Sequence, residues 1–269
     1  MDEDAFDAAM AADADAALTL LADLATATDE RLRAAARRLA ARIVLDVGRR
    51  GTPVNAGVGR LRPGPADSGG DLDVDASLDA IIAGRALRRP PDLDELVTRQ
   101  WGRPALALCL VVDRSGSMGG ERLAAAALAA GACAWRAPGE HAVLTFAKEV
   151  DVLRPMGSSR PTAAVVDSIL GLRGHGTTSL TAALRAAAEQ LEGSRAARRV
   201  VVLLSDCRST EDTDAAEVAQ RLPELLVLAP AGDTEEAAEL ARRSGARWAA
   251  LRGVADAPDA LAALLRPTS

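Results

Sequence analysis

The chain has 269 residues, 49% of them hydrophobic but only 2% aromatic, with no tyrosine and a single lysine, Lys148. That is enough apolar material for one large domain or a domain with an appendage, its core built from Ala, Leu and Val. A net charge of −6 excludes a broad nucleic-acid surface, which needs Lys and Arg to neutralise phosphates, and no apolar run reaches the ~20 residues that span a bilayer. The acidic start MDEDAFDAAM is unlike the basic start of a signal peptide, so the sequence reads as cytoplasmic, with no nucleic-acid or membrane partner.

In chain order, Phe6, Met10, Ala17, Leu21 and Leu24 recur at helical spacing and predict a helix over residues 4–26. Thr28 then caps a second helix with Asp29 and Glu30 in its first turn, Leu32, Leu39, Ile43 and Val47 on its apolar face and Gly48 at its end. Residues 1–50 therefore read as a helical hairpin. From Thr52 to Gly70 the stretch TPVNAGVGRLRPGPADSGG is rich in Gly and Pro without a sustained period, and reads as a loop or mobile linker. Two short helices are expected next, one across Leu78, Ile81 and Ile82 ending at Gly84, the other from Asp92 through Leu93, Leu96 and Val97. Residues 51–103 are then a connecting region before the main domain at 104–269. Asp71, Asp73 and Asp75 have the spacing that opens a calcium-binding EF-hand loop. Ala76 stands where that loop needs glycine, however, and Ile82 where it needs a bidentate glutamate, so the triplet reads as a solvated acidic stretch or a helix start.

From Ala105 onward apolar runs alternate with Ala-rich helical segments. Strands are predicted at Leu106 to Val112, Ala142 to Phe146, Val150 to Leu153, Val200 to Ser205, Leu225 to Ala229 and Trp248 to Leu251. The helices are Arg122 to Trp135, Thr162 to Leu170, Leu180 to Leu191, Asp214 to Arg221, Thr234 to Arg243 and Asp259 to Leu265. Strands without polar alternation belong to a parallel sheet covered on both faces, so the fold class is doubly wound α/β, mostly parallel and preceded by a small helical region. In LTFAKEVDVL the break between two strands is short, which predicts a hairpin and one antiparallel edge strand. Cys109, Cys133 and Cys207 lack CxxC spacing and read as reduced thiols. Of the two histidines, His141 precedes a strand and reads as a surface or hydrogen-bonded residue, and His175 as a solvent-facing loop residue. Trp101, Trp135 and Trp248 read as packing residues.

Chemistry is concentrated where strands end. The stretch ALALCLVVDRSGSM ends an apolar strand on Asp113, with Ser115 and Ser117 at alternate positions after it, and RRVVVLLSDC ends another on Ser205 and Asp206. In an open α/β sheet those ends open into the binding crevice. Two carboxylates converging there repel unless a cation lies between them, and oxygen donors from Asp, Ser and Thr suit a hard divalent ion such as Mg²⁺ or Mn²⁺. A third loop, LRGHGTTSLTAAL, offers Thr177 and Thr178, either of which completes the shell.

These residues resemble the von Willebrand factor A (VWA) domain family and its metal-ion-dependent adhesion site. Asp113, Ser115 and Ser117 match its DxSxS element, GTTSL its threonine loop, favouring Thr178, and SDC its TDG element, with Asp206 preserved and Cys207 in place of glycine. The resemblance spans residues 104–266 and implies that Asp113, Ser115, Ser117, Thr178 and Asp206 hold the metal. A narrower resemblance upstream, GDLDVDASLDAIIAGR followed by LVTRQWGRPALALCLVVDRSGSM, is to bacterial cytoplasmic VWA proteins that act with MoxR-type AAA+ ATPases. These include carbon-monoxide-dehydrogenase maturation factors (CoxE-like proteins) and the C-terminal part of the magnesium chelatase D subunit.

Three functions compete on this basis. The first is a non-enzymatic adaptor whose metal takes an Asp or Glu from a protein partner, with a MoxR-type ATPase and a client as the implied partners. The second is a Mg²⁺-dependent hydrolase or phosphatase with Asp113 or Ser115 as nucleophile. Against it, no DxDxT element appears, no GxSxG elbow surrounds Ser115 or Ser117, and His175 is the only candidate base; no GxxxxGK[ST] loop is present, so the chain does not read as the ATPase itself. The third is an extracellular adhesion module, which would need secretion.

Overall fold

A computed structural model describes residues 3–25, 30–48, 60–65, 71–92, 95–102, 106–115, 120–172, 178–208 and 214–266. They fall into two compact units, residues 55–105 and the remainder of the chain.

The larger unit begins with α1 (Glu3–Ala12), α2 (Ala14–Leu24) and α3 (Glu30–Gly48). The single helix expected over 4–26 is broken at Asp13, whose extended backbone lets its side chain accept from Ala16 N at 3.0 Å and cap α2. A periodicity that continues on both sides of a cap hides the break.

The smaller unit holds β1 (Arg60–Pro65), β2 (Asp71–Leu72), α4 (Leu78–Ala86) and β3 (Val97–Gly102), its strands forming an antiparallel sheet in the order β1-β3-β2. Two expectations are corrected here. The Gly/Pro stretch contributes β1, an edge strand. Its prolines, Pro63 and Pro65, lie two residues apart and so leave both missing N–H groups on one side, which an edge tolerates. The helix expected from Asp92 gives way to β3, because the β-branched Val97 and Thr98 open a short strand that a six-residue window cannot separate from a helical period. Leu93 lies outside the described residues. Asp73, the buried member of the acidic triplet, accepts from Ala76 N at 3.1 Å in the turn before α4, so the triplet opens a helix.

The chain then returns to the larger unit through β4 (Leu106–Asp113), α5 (Gly120–Arg136), β5 (His141–Phe146), β6 (Val150–Arg154), α6 (Thr162–Leu170), α7 (Leu180–Glu192) and β7 (Arg198–Leu204). It ends with α8 (Ala215–Gln220), β8 (Leu225–Pro230), α9 (Glu235–Ser244), β9 (Arg247–Leu251) and α10 (Ala257–Leu265). The six strands order as β6-β5-β4-β7-β8-β9, all parallel except β6, the antiparallel edge strand the hairpin signal predicted. Residues alternate along β4 between two cores. Leu108, Leu110 and Val112 pack with α2, α3, α5, α6 and α10, and Ala107, Cys109 and Val111 with α7, α8 and α9. Burial on both faces is why these strands read as continuous apolar runs.

Helix α5 is apolar all round, and residues 123–130 are all buried, one side against the sheet core and the other beneath α2 and α3. The N-terminal helices thus form a second layer over α5 and share its core. At the closest approach a side chain on Gly131 would meet Val44 Cγ1 and Val44 O at 3.0 Å.

Candidate functional site

β4 is the switch point of the sheet: the chain leaves it through α5 to β5 on one side, while β7, β8 and β9 extend on the other. Asp113 is the last residue of β4, paired with Phe146 of β5, and is only 2% exposed. Ser205 and Asp206 follow directly from the adjacent β7 and are also buried. Both predicted carboxylates are therefore at neighbouring strand ends on one rim.

Asp113 is held from two directions. Its Oδ1 accepts from Ser115 N at 2.8 Å and its Oδ2 from Ser205 Oγ at 2.7 Å. Ser205 Oγ in turn accepts from Cys207 N at 2.9 Å. Burial pushes the Asp113 carboxyl above the usual carboxylate range, with the Asp206 charge adding to the rise, while the bonds from Ser205 and Ser115 oppose it. Asp206 Oδ1 accepts from Arg208 N at 3.1 Å, and its Oδ2 is ion-paired with Arg122 Nη1 at 3.3 Å. Thr178 is buried at the same end of the sheet, where Ser179 N donates at 2.8 Å to the carbonyl of Ala147, the residue after β5. Asp113, Ser115 and Asp206 thus gather at one place and Thr178 at the same rim. Ser117, Met118, Gly119, His175 and Thr177 lie outside the described residues.

Cys207 has φ +63°, the left-handed conformation that favours glycine. The substitution of cysteine for the glycine of the TDG element therefore keeps the turn at a conformational cost. Its thiol is buried and its pKa is pushed up by that burial and by Asp206 and Asp113. Cys109 and Cys133 are likewise free and fully buried, the latter pushed up to about 12 by burial. His141, the first residue of β5, lies at the opposite end of the sheet from Asp113 and is buried, its Nδ1 3.0 Å from the Ala137 carbonyl. Trp135 and Trp248 are partly exposed, and the side chain of Trp101 is outside what is described.

Beside the carboxylates lies a cleft of about 270 Å³ between the start of α5 and the ends of β7, β8 and β9. Ser205, Asp206 and Arg122 line its polar side, and Ala125, Leu251 and Val254 its apolar side. The loop after β9 is pinned by α2, since Asp15 Oδ1 accepts from Ala255 N at 2.7 Å. The sequence reading passed over Arg122. Its signal was a cation in the first turn of a helix, where the dipole disfavours positive charge, directly after the DxSxS loop. The donors at the rim are all oxygens, two of them on buried carboxylates of like charge, which is the chemistry of a hard divalent cation and not of a soft one. Among the described residues no cluster of three or more His, Cys, Asp or Glu is placed to hold a metal ion.

Residues 108–210 match the family model of the von Willebrand factor type A domain. Solved structures of similar fold include an aerotolerance-related membrane protein from Bacteroides fragilis (TM-score 0.49, 15% identity, 60% of this chain and 98% of that one). Others are the manganese-loaded TRAP protein of Plasmodium vivax (0.49, 19%, 61% and 73%) and a von Willebrand factor type A protein from Catenulispora acidiphila (0.47, 19%, 63% and 44%). No curated protein matches the chain. No helix among the described residues is long and apolar enough to cross a membrane. Residues 108–210, which include the antiparallel edge at β6 and the motif-bearing ends of β4 and β7, are thus similar to the von Willebrand factor type A domain.

Proposed function

We propose that the protein is a non-enzymatic, metal-dependent binding adaptor. Asp113, Ser115, Ser117, Thr178 and Asp206 hold Mg²⁺ or Mn²⁺, and one coordination position is left for an Asp or Glu of a protein partner. The observation that carries this reading is the pair of buried carboxylates, Asp113 and Asp206, fixed at adjoining strand ends by Ser205, Ser115 and Arg122. A bound divalent cation would supply the positive charge that Asp113, held by neutral donors alone, lacks, and a directional acceptor for a third carboxylate. The hydrolase alternative has no observation in its favour: His141 is at the far end of the sheet, and His175, the candidate base, lies outside the described residues. The upstream resemblance supports a finer proposal, that the adaptor works in the cytoplasm with a MoxR-type AAA+ ATPase in remodelling or maturing a client metalloenzyme.

The test is a pull-down with the full chain as bait in Mg²⁺ and again in EDTA, with Asp113→Ala as control. Recovery of an AAA+ ATPase or a metalloenzyme only in Mg²⁺ and only with intact Asp113 is expected. The same proteins recovered in EDTA and by the variant would overturn the metal as the recognition element.

A further inference from the structure

Asp15, in the first turn of α2, meets the loop between β9 and α10 in two ways. Its Oδ1 accepts from Ala255 N at 2.7 Å, and its carboxylate lies so close to Gly253 that a side chain there would overlap it. Gly253 has an ordinary extended backbone, φ −150°, so the room needed by Asp15, and not the backbone, asks for glycine at this position. The same loop walls the cleft beside the carboxylates, since Arg252, Gly253 and Val254 line it together with Ser205, Asp206 and Arg122. Val254 is only 1% exposed and belongs also to the core that holds Leu18 and Leu21 of α2. Past Leu251, the last residue of β9, the wall of the cleft thus rests on α2.

We infer that Asp15 is a positioning residue for this cleft: with Gly253 it latches the wall to α2, so that the N-terminal helices set how far the cleft opens beside the rim. A displacement of α2 withdraws the carboxylate, frees the Ala255 amide and lets residues 252–255 move. The latch is placed where a helix gives way most easily, because the first turn of α2 has backbone N–H groups without intrahelical partners and fraying starts there. The inference goes beyond the metal-site reading and does not depend on it, since no metal takes part in the latch.

The experiment places a thiol on the wall by Val254→Cys in the full chain and follows its reaction with N-ethylmaleimide, each modified cysteine being identified by peptide mass mapping. In this background Asp15→Ala and Gly253→Ala are each expected to speed the reaction roughly tenfold, the effect of one lost hydrogen bond on a local opening. Together they are expected to do no more than either alone, because the added methyl acts only by displacing the Asp15 carboxylate. Asp15→Asn, whose amide oxygen still accepts from Ala255 N, is expected to restore the slow reaction. The native thiols of Cys109, Cys133 and Cys207, all buried, report any general loosening and are expected to stay unreactive. An unchanged rate in Asp15→Ala, an Asp15→Asn variant as fast as Asp15→Ala, effects of the two changes that multiply, or native thiols that react in step with the introduced one would each overturn the inference. Exchange of the Ala255 amide hydrogen, measured without the Val254→Cys change, is expected to follow the same order. An amide equally protected in the parent and in Asp15→Ala overturns the inference even where the thiol variant fails to fold.

Discussion

The hydroxyl of Ser205, just past the end of β7, donates to the Asp113 carboxylate at the end of β4 across 2.7 Å, and it accepts from Cys207 N at the same time. One small side chain therefore fixes a buried carboxylate and the turn that carries Asp206. Removing the hydroxyl leaves two buried polar groups short of a partner. Ser205→Ala is expected to lower unfolding stability by about 1–3 kcal/mol, measured by urea denaturation, with Ser205→Thr retaining most of it because the hydroxyl remains.

The same carboxylate makes the domain less stable than it need be when no cation is bound. Asp113 is almost wholly buried near a second carboxylate, so its charge is costly in the absence of metal. Asp113→Asn removes that charge in the same shape, with its oxygen still accepting from Ser115 N and its amide donating to Ser205 Oγ, which donates to Asp113 in the parent. Without divalent ions it is expected to unfold at a higher urea concentration than the parent, by about 1 kcal/mol of stability, and to lose the further gain that Mn²⁺ gives the parent. A parent that Mn²⁺ does not stabilise, or a variant that it stabilises equally, would contradict this.

At Cys207 the ordinary ranking of residues is expected to invert. Glycine usually costs stability relative to alanine, but in the left-handed region an L-residue is strained by about 1–2 kcal/mol. With φ +63° at this position, Cys207→Gly should equal or exceed Cys207→Ala in stability, since both lose the buried sulfur and only glycine relieves the backbone. Thermal melting of the two variants side by side decides it.

Most of the α/β part was legible because its signals are local. Six apolar runs separated by Ala-rich helices give the sheet, and a carboxylate directly after an apolar run gives the rim. Each predicted strand of this sheet is present to within two residues at either end. In the smaller unit the helix across Leu78, Ile81 and Ile82 was legible but the sheet was not, since Pro63 and Pro65 argue against a strand unless it is known to be an edge, and edge position is a property of the whole sheet. Arg122 was passed over for a similar reason: its partner Asp206 is 84 residues away, and only the sheet order brings them together. The break at Asp13 was hidden by an apolar period that α1 and α2 share.

The pH dependence of stability has an identifiable contributor far from the rim. His141 is 4% exposed, and burial together with the nearby Arg154 charge depresses its pKa from 6.5 to about 4, against the opposing bond to the Ala137 carbonyl. Between those values the unfolded chain takes up a proton that the folded chain does not. Stability from this residue is therefore full above pH 6.5 and lost as pH falls towards 4, by up to about 3 kcal/mol. His141→Asn should lose less stability than the parent between pH 7 and pH 4.5, the carboxylates being common to both. Parallel stability curves for the two proteins would remove His141 as the cause.

Gly131 in the middle of α5 decides whether the N-terminal helices can lie where they do. On an exposed helix Gly→Ala stabilises by about 1 kcal/mol. Here the new methyl would lie 3.0 Å from both Val44 Cγ1 and the Val44 carbonyl oxygen of α3, so the helices must move apart or the contact must strain. Gly131→Ala is expected to destabilise by about 1 kcal/mol, and Gly131→Leu by more, with α1 to α3 becoming susceptible to limited proteolysis before the sheet does. Part of the clash is with a side chain and part with backbone. Val44→Ala in the Gly131→Ala background should therefore recover only some of the loss, a non-additivity that a double-mutant cycle reads directly. If Gly131→Ala instead raised stability by the amount typical of an exposed helix, α3 would not be packed on α5, and the second helical layer would be wrong.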